Sequence, residues 1–131
     1  MRQLVKENVF NFQEIENGVF KWHLFPGEMS LEDYRLGYNF VKNCFEKDPI
    51  FIIATHGRNF TFSPEAWRFM TDPDTDFSFM GAHALVLDQL HLRILAKVFI
   101  GLKKSNHPSK VFSNEEKALI WLKSMASNEG C

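Results

Sequence analysis

The feature that most restricts the fold is an uninterrupted apolar run, Ile50 to Ala54, near the middle of the chain. A strand with one face in water alternates apolar and polar residues, whereas this run has no polar face. Such a run is typical of a central strand covered on both faces, as in parallel α/β sheets. The rest of the chain must therefore supply elements for both faces of the sheet.

The N-terminal part predicts a β-hairpin. Residues Val9 to Glu16 and Val19 to Phe25 form the two strands, and Asn17-Gly18 forms the turn between them. An Asn-Gly pair between such runs is a strong short-range hairpin signal, because both residues tolerate positive φ.

Capping residues and apolar spacing predict helices between the later strands. Ser30 and Ser63 are each expected to cap a helix, and Ser113 is expected to open the last one. We expect this last helix to dock onto the sheet through Trp121. The predicted elements after the hairpin are a helix from Ser30 to before Asp48, a strand Ile50–Ala54, a helix Ser63–Thr71, a strand Phe79–Leu87, a helix Gln89–Lys103, a strand Lys110–Phe112 and a closing helix.

This order predicts an α/β fold with a mixed, mostly parallel sheet, an N-terminal hairpin and about four helices. With 131 residues and no linker-like segment, the chain is expected to form one domain. Residues 1–8 are expected to be an N-terminal arm, and residues 125–131 a tail.

The second half resembles the STAS-like (SpoIIAA-like) group of uncharacterised bacterial proteins. The matching stretches are Ala82–Val86, Arg93–Phe99, Pro108–Phe112 and Glu115–Leu122. The resemblance extends from Gly18 to Lys123 in element order and is motif-specific from Phe79 onward. It implies the fold of anti-sigma-factor antagonists, which is related to that of Sec14-type lipid carriers. Fold alone does not assign a function.

Regulatory STAS domains carry a phosphorylation motif of the Asp-Ser/Thr-x-Gly type between the third strand and the second helix. The corresponding region here, Thr55 to Pro64, lacks that motif. Ser63 occupies a comparable place, and we interpret it as a helix cap rather than a phosphorylation site.

Composition argues against several classes of function. The net charge of −1 lacks the basic excess of a duplex-binding protein, so we expect no nucleic-acid partner. No apolar stretch reaches the length of a membrane-spanning helix or a signal peptide. The two cysteines, Cys44 and Cys131, form no metal-ligand spacing and favour a cytoplasmic location.

Motifs for catalysis or cofactor binding are absent from the sequence, so we expect neither an enzyme nor a cofactor. The acidic segment Asp72–Asp76 has the spacing of a calcium loop, but Phe77 and His83 stand where that loop needs glycine and glutamate. The five histidines are scattered without zinc-ligand spacing. We therefore expect no metal site.

The helix Gln89–Lys103 is apolar around most of its circumference, more than one sheet face can cover. Flanking helices could cover the remainder; alternatively, part of it forms a homodimer interface, a lipid-facing surface or a ligand groove. The candidate interface comprises Arg93, Lys97, Phe99, Ile100 and Lys104. Its basic residues could meet an acidic partner or an anionic headgroup, although basic residues are too few for strong membrane binding.

A second candidate site follows the central strand. Thr55, His56, Arg58 and Thr61 lie where open α/β sheets often bind ligands, and they could hold an anion or another ligand.

These observations favour a non-catalytic cytoplasmic regulatory or scaffolding module that acts through protein contacts, as a homodimer or with another protein. The alternative is a carrier or sensor of a small apolar or lipid-like ligand. An interaction module should expose an apolar helix surface, whereas a carrier should enclose an apolar pocket.

Overall fold

The computed structural model describes residues 2–44, 49–72, 74–102 and 108–129. Side chains within 127–129 and at positions 95 and 98–102 are outside this description. The strands are β1 (Gln3–Lys6), β2 (Phe10–Glu16), β3 (Val19–Leu24), β4 (Gly27–Met29), β5 (Ile50–His56), β6 (Phe60–Phe62), β7 (Met80–Val86) and β8 (Ser109–Phe112). The helices are α1 (Leu31–Cys44), α2 (Pro64–Thr71), α3 (Leu90–Leu102) and α4 (Glu115–Glu129).

Six strands form the main sheet in the order β1-β2-β3-β5-β7-β8. The first three are antiparallel, and β3, β5, β7 and β8 are parallel. Strand β5 is central, and its residues from Ile50 to Thr55 are all buried. The predicted mixed, mostly parallel sheet with four helices is therefore confirmed, and so is the hairpin.

The connections decide which face each helix covers. From β3 to β8 every crossover steps in the same direction across the sheet, and such crossovers are almost always right-handed. Helices α1, α2 and α3 therefore share one face, where Phe20 and Ile52 lie in the same buried cluster as Tyr38 and Met70. Helix α4 follows the last strand and covers the opposite face.

On that opposite face, Ala118 and Leu122 of α4 are fully buried against Phe51 and Ile53 of β5. Trp121 is only half-buried, with its ring 5.6 Å from that of Phe112. Trp121 packs against the edge of this cluster, and Ala118 and Leu122 are the residues that are buried completely. The expected cap was displaced by one residue, because the Asn114 side chain accepts the Lys117 amide hydrogen.

The caps predicted for α1 and α2 are confirmed: Ser30 accepts from the Asp33 amide and Ser63 from the Ala66 amide. The structure adds three short strands. Strand β1 lies within the expected N-terminal arm, and β4 pairs with β6 in a separate two-stranded parallel sheet. Helix α4 extends into the expected C-terminal tail. Strands of three or four residues are too short to leave a clear periodicity.

An ion pair fastens β1 to the hairpin. The Arg2 guanidinium donates to both carboxylate oxygens of Glu14, at 3.1 and 2.8 Å, and also to the Cys44 carbonyl oxygen at the end of α1. Only 7% of the Glu14 side chain is exposed. The hydrogen bonds from Arg2 and the amide of Gly18 lower the pKa of Glu14 to about 2, against a desolvation effect that opposes them.

We expect this pair to make stability depend on pH. Because the folded-state pKa of Glu14 is depressed, its contribution is fully present above about pH 4.5 and is lost as the pH falls toward about 2. Urea unfolding at pH 7 should show Arg2→Met destabilised by about 2 kcal/mol, and this difference should shrink at pH 3.

Lys6→Met is the matched control, since Lys6 and Asp33 form a more exposed ion pair with a separation of 3.5 Å. We expect it to change stability by no more than about 0.5 kcal/mol. A destabilisation by Arg2→Met that is equal at both pH values would contradict the role assigned to Glu14.

Candidate functional site

A cavity of about 350 Å³ lies between the main sheet and the helices α1, α2 and α3. Its lining is predominantly apolar. The floor is formed by strands, with Trp22, Leu24, Ile52, Ala54, Thr55, His56, Met80, His83, Leu85, Leu87 and Ser109. The walls and roof are Tyr34, Tyr38, Val41, Phe60, Thr61, Phe62, Trp67, Met70, Phe77, Phe79, Leu92 and Ala96.

The geometry of the elements explains why space remains there. Helix α1 packs against α2 on one side of the face, whereas α3 packs against β8 at the other side. Between them the floor is formed by Ala54, a small residue on the central strand. Leu92 and Ala96, one turn apart on α3, line the cavity from above. The cavity therefore lies between the α1–α2 pair and α3, above the small side chain of Ala54.

Aromatic rings pack together on the α1–α2 side of the cavity. Tyr34 packs against Trp22, Phe62 and Phe69, with ring centroids 5.4 to 6.1 Å apart. The Tyr38 hydroxyl donates to the Asp76 carbonyl oxygen at 2.5 Å, which holds the segment before Phe77 against α1. Phe62 and Phe69 meet the Tyr34 ring edge-to-face, a favoured arrangement of aromatic pairs, whereas the Trp22 ring is tilted by 40°.

Three of the four residues predicted to form a ligand pocket line this cavity: Thr55, His56 and Thr61. Arg58 is exposed and is not part of the lining. The four predicted residues therefore do not form one site, because Arg58, which carries the only positive charge among them, does not reach the cavity. Among the described lining residues there is no lysine or arginine to pair with an anion.

The Thr55 hydroxyl and one ring nitrogen of His56 are already engaged. The Thr55 hydroxyl lies 2.7 Å from Nδ1 of His23, on the face of the sheet that α4 covers. Burial, and secondarily the nearby Lys21, lower the pKa of His23 and favour its neutral ring. Nδ1 of His56 lies 2.9 Å from the Gly57 carbonyl oxygen.

The two histidines that line the cavity lie far apart. His83 is paired with Ile52 on the neighbouring strand, four residues before His56. That separation corresponds to roughly 13 Å along the strand. In the described ranges, no group of three or more His, Cys, Asp or Glu side chains could hold a metal ion.

Helix α3 has two apolar sides. Leu92 and Ala96 line the cavity, whereas Leu90 and Ile94 are 65% and 55% exposed. Arg93 of the candidate interface donates to the Leu87 carbonyl oxygen at 2.8 Å, and Lys97 is exposed. The side chains of Phe99 and Ile100 and the whole of Lys104 lie outside the described residues, so this part of the expected interface stays a prediction.

Tyr34 is a cavity residue that the sequence analysis did not single out as functional. Its spacing along α1 indicated only a buried position, and 7% of the residue is exposed. Burial raises the pKa of its phenol, and the neighbouring Tyr38 raises it further. In the sequence, the only indication of a functional role for Tyr34 is that its hydroxyl lies on the apolar stripe of α1.

Comparisons with known proteins assign a family and a fold. The sequence model of a family described as "Domain of unknown function (DUF7793)" matches residues 44–126. A solved structure of an uncharacterized protein of the DUF3478 family, from Shewanella loihica PV-4, has a SpoIIAA-like fold. It is similar with a TM-score of 0.63 and 13% identity, over 87% of this chain and 92% of that one. No curated protein matches the sequence significantly.

At 13% identity the structural similarity concerns the fold alone, and it confirms the SpoIIAA-like fold expected from the sequence resemblance. Neither comparison assigns a ligand or a partner. Among the described residues, no helix is long and apolar enough to cross a membrane.

The cavity predicts opposite outcomes for the same substitution on the two faces of the sheet. Ala54→Leu adds its side chain to the cavity and should keep the free energy of unfolding within about 1 kcal/mol of the original. Ala84→Leu, on the close-packed face under α4, should destabilise by about 1–3 kcal/mol through overpacking. Urea unfolding of both variants is the measurement, and equal losses would contradict a cavity at Ala54.

Proposed function

The chain belongs to the DUF7793 family of domains of unknown function, and we propose that it binds a small, uncharged, mainly apolar molecule in the cavity under α3. The observation that carries this proposal is the cavity itself. A cavity of about 350 Å³ falls within the range of ligand pockets, which extends from about 300 to 1,000 Å³.

The volume indicates the size of the ligand. An engineered apolar cavity of about 150 Å³ in another protein accommodates benzene. The present cavity is somewhat more than twice as large. It therefore suits a molecule with two fused or linked rings, or an aliphatic chain of similar volume. The aromatic wall around Tyr34 favours flat ligands, because offset and edge-to-face ring contacts add to area burial.

The charge of the lining supports an uncharged ligand. Moving a carboxylate or an ammonium into an apolar site is unfavourable unless an opposite charge or several hydrogen bonds compensate. Arg58 is exposed outside the lining, and His23 lies on the opposite face of the sheet with its neutral form favoured. An anionic headgroup would thus have to remain at the edge of the cavity.

The proposed role is non-catalytic, that of a carrier or sensor. The Thr55 hydroxyl is held by His23 on the opposite face of the sheet, and Nδ1 of His56 is held by a backbone carbonyl. The lining histidines His56 and His83 lie roughly 13 Å apart along the strand direction, so they do not form an acid–base pair around one bound group. A cytoplasmic location fits the cysteine content, as expected from the sequence.

Titration with N-phenyl-1-naphthylamine, a neutral probe whose fluorescence rises in apolar sites, tests the proposal. The protein should bind the probe saturably with 1:1 stoichiometry. Ala54→Leu should weaken binding by about tenfold or more, because the added side chain occupies ligand volume.

Ile120→Ala is the control, since Ile120 is 64% exposed on α4, away from the cavity. It should bind the probe like the original protein. Saturable binding that Ala54→Leu leaves unchanged, or no saturable binding at all, would contradict the cavity as a ligand site.

A second candidate function is contact with a protein, either another copy of the chain or a different partner. The observation that favours it is the pair Leu90 and Ile94, one helical turn apart and both mostly exposed. Arg93 and Lys97 lie on the same helix and would place positive charge beside this apolar pair. Adjacent exposed apolar residues often mark interaction surfaces.

Sedimentation equilibrium tests the self-association that was expected from the sequence. The protein should be dimeric, and Leu90→Glu with Ile94→Glu should make it monomeric, because charged residues oppose burial in an apolar interface. Ile120→Glu, an equally exposed position on α4, should remain dimeric. A monomeric original protein, or a dimer that survives both substitutions, would exclude self-association through this surface.

A further inference from the structure

Among the polar groups that line the cavity, the Tyr34 phenol stands apart. The residue is 7% exposed and lies one helical turn before Tyr38 on α1. Tyr38 donates its hydroxyl hydrogen to the Asp76 carbonyl oxygen, whereas the Tyr34 hydroxyl has no hydrogen-bond partner among the described residues. Its neighbours are the rings of Trp22, Phe62 and Phe69.

The Tyr34 hydroxyl is not sealed inside the protein: among the described residues, only the indole nitrogen of Trp22 is both fully enclosed and without a partner. Because Tyr34 lines the cavity, a molecule bound there can reach its hydroxyl. Polar groups in protein interiors are nearly always hydrogen-bonded to protein, water or a ligand. A hydroxyl retained at such a position in a cavity wall is suited to a partner that arrives with the ligand.

Trp22 does not offer an equivalent group. Its indole nitrogen also lacks a hydrogen-bond partner, but the atom is fully enclosed by protein. The indole stacks on Phe12, and its benzo edge lies so close to Gly37 of α1 that a Cβ there would come within 2.7 Å of a ring carbon. A ligand in the cavity could not approach this nitrogen without moving α1.

We infer that the ligand carries one uncharged hydrogen-bond acceptor, such as a carbonyl oxygen, which accepts the hydroxyl hydrogen of Tyr34 while the remainder of the molecule fills the apolar cavity. This inference rests on the proposed function and adds the chemical class of the ligand: a ketone, ester, ether or amide with an apolar body. Tyr34 is then the residue that distinguishes such molecules from hydrocarbons of the same shape.

Two probes of nearly identical shape separate this role from simple apolar binding. 2-Acetylnaphthalene has a carbonyl oxygen where 2-isopropenylnaphthalene has a methylene carbon, and both fit the size argued above. Dissociation constants of both probes are measured by isothermal titration calorimetry or equilibrium dialysis. The measured quantity is the ratio of the two constants, which cancels effects on general apolar affinity.

Tyr34→Phe should change this ratio by about threefold to tenfold against the ketone, as expected for the loss of one hydrogen bond. Tyr38→Phe is the matched control. It removes a hydroxyl one turn away that is already bonded to Asp76, so it should leave the ratio unchanged within about twofold. A general loosening of the cavity wall would alter the affinities of both probes together.

The possible outcomes distinguish the inference from the proposal on which it rests. If both probes bind and the ratio changes only in Tyr34→Phe, the assigned acceptor contact is supported. If both bind and Tyr34→Phe leaves the ratio as it was, the inference is wrong and the ligand cavity stands. If neither probe binds the original protein, the proposed function fails and the inference fails with it.

Discussion

The whole architecture depends on the burial of strand β5 from both sides. A strand with the sequence Ile50 to Ala54 cannot leave either face in water without exposing several large apolar side chains. One face is closed by α4, which docks through the fully buried Ala118 and Leu122. The other face receives three crossover helices, because each parallel connection steps in the same direction. The unequal division of helices sets close packing on one side and a cavity on the other.

This division also explains the composition of α3. A helix that covers only a sheet needs one apolar stripe. Here Leu92 and Ala96 form the roof of the cavity, while Leu90 and Ile94 point away from it and are mostly exposed. The two candidate functions suggested by its sequence are thus located on opposite sides of one helix. Occupation of the cavity and contact with a partner would affect the same element, and neither excludes the other.

The sequence was sufficient for the fold but not for the site. The β5 run, the Asn-Gly turn and the serine caps each act over a few residues, so the hairpin, the central strand and the helices could be predicted from local physics. Local signals could not show how deeply each apolar residue of α4 is buried: Trp121 contacts the edge of the cluster, whereas Leu122 is buried completely. The cavity depends on how far α3 stands from α2, a distance that no local pattern encodes. For the same reason Arg58, adjacent in sequence to His56 and Thr61, was grouped with them although it does not line the cavity.

The cavity has a consequence for the compressibility of the fold. Unfolding eliminates internal void volume, and the decrease in molar volume scales with the void that is lost. Hydrostatic pressure should therefore act mainly on the face that carries α1, α2 and α3, since the face under α4 is closely packed. A molecule that fills the cavity would remove most of this volume difference. The two faces of one sheet would then differ in how much volume pressure can remove from them, until the site is occupied.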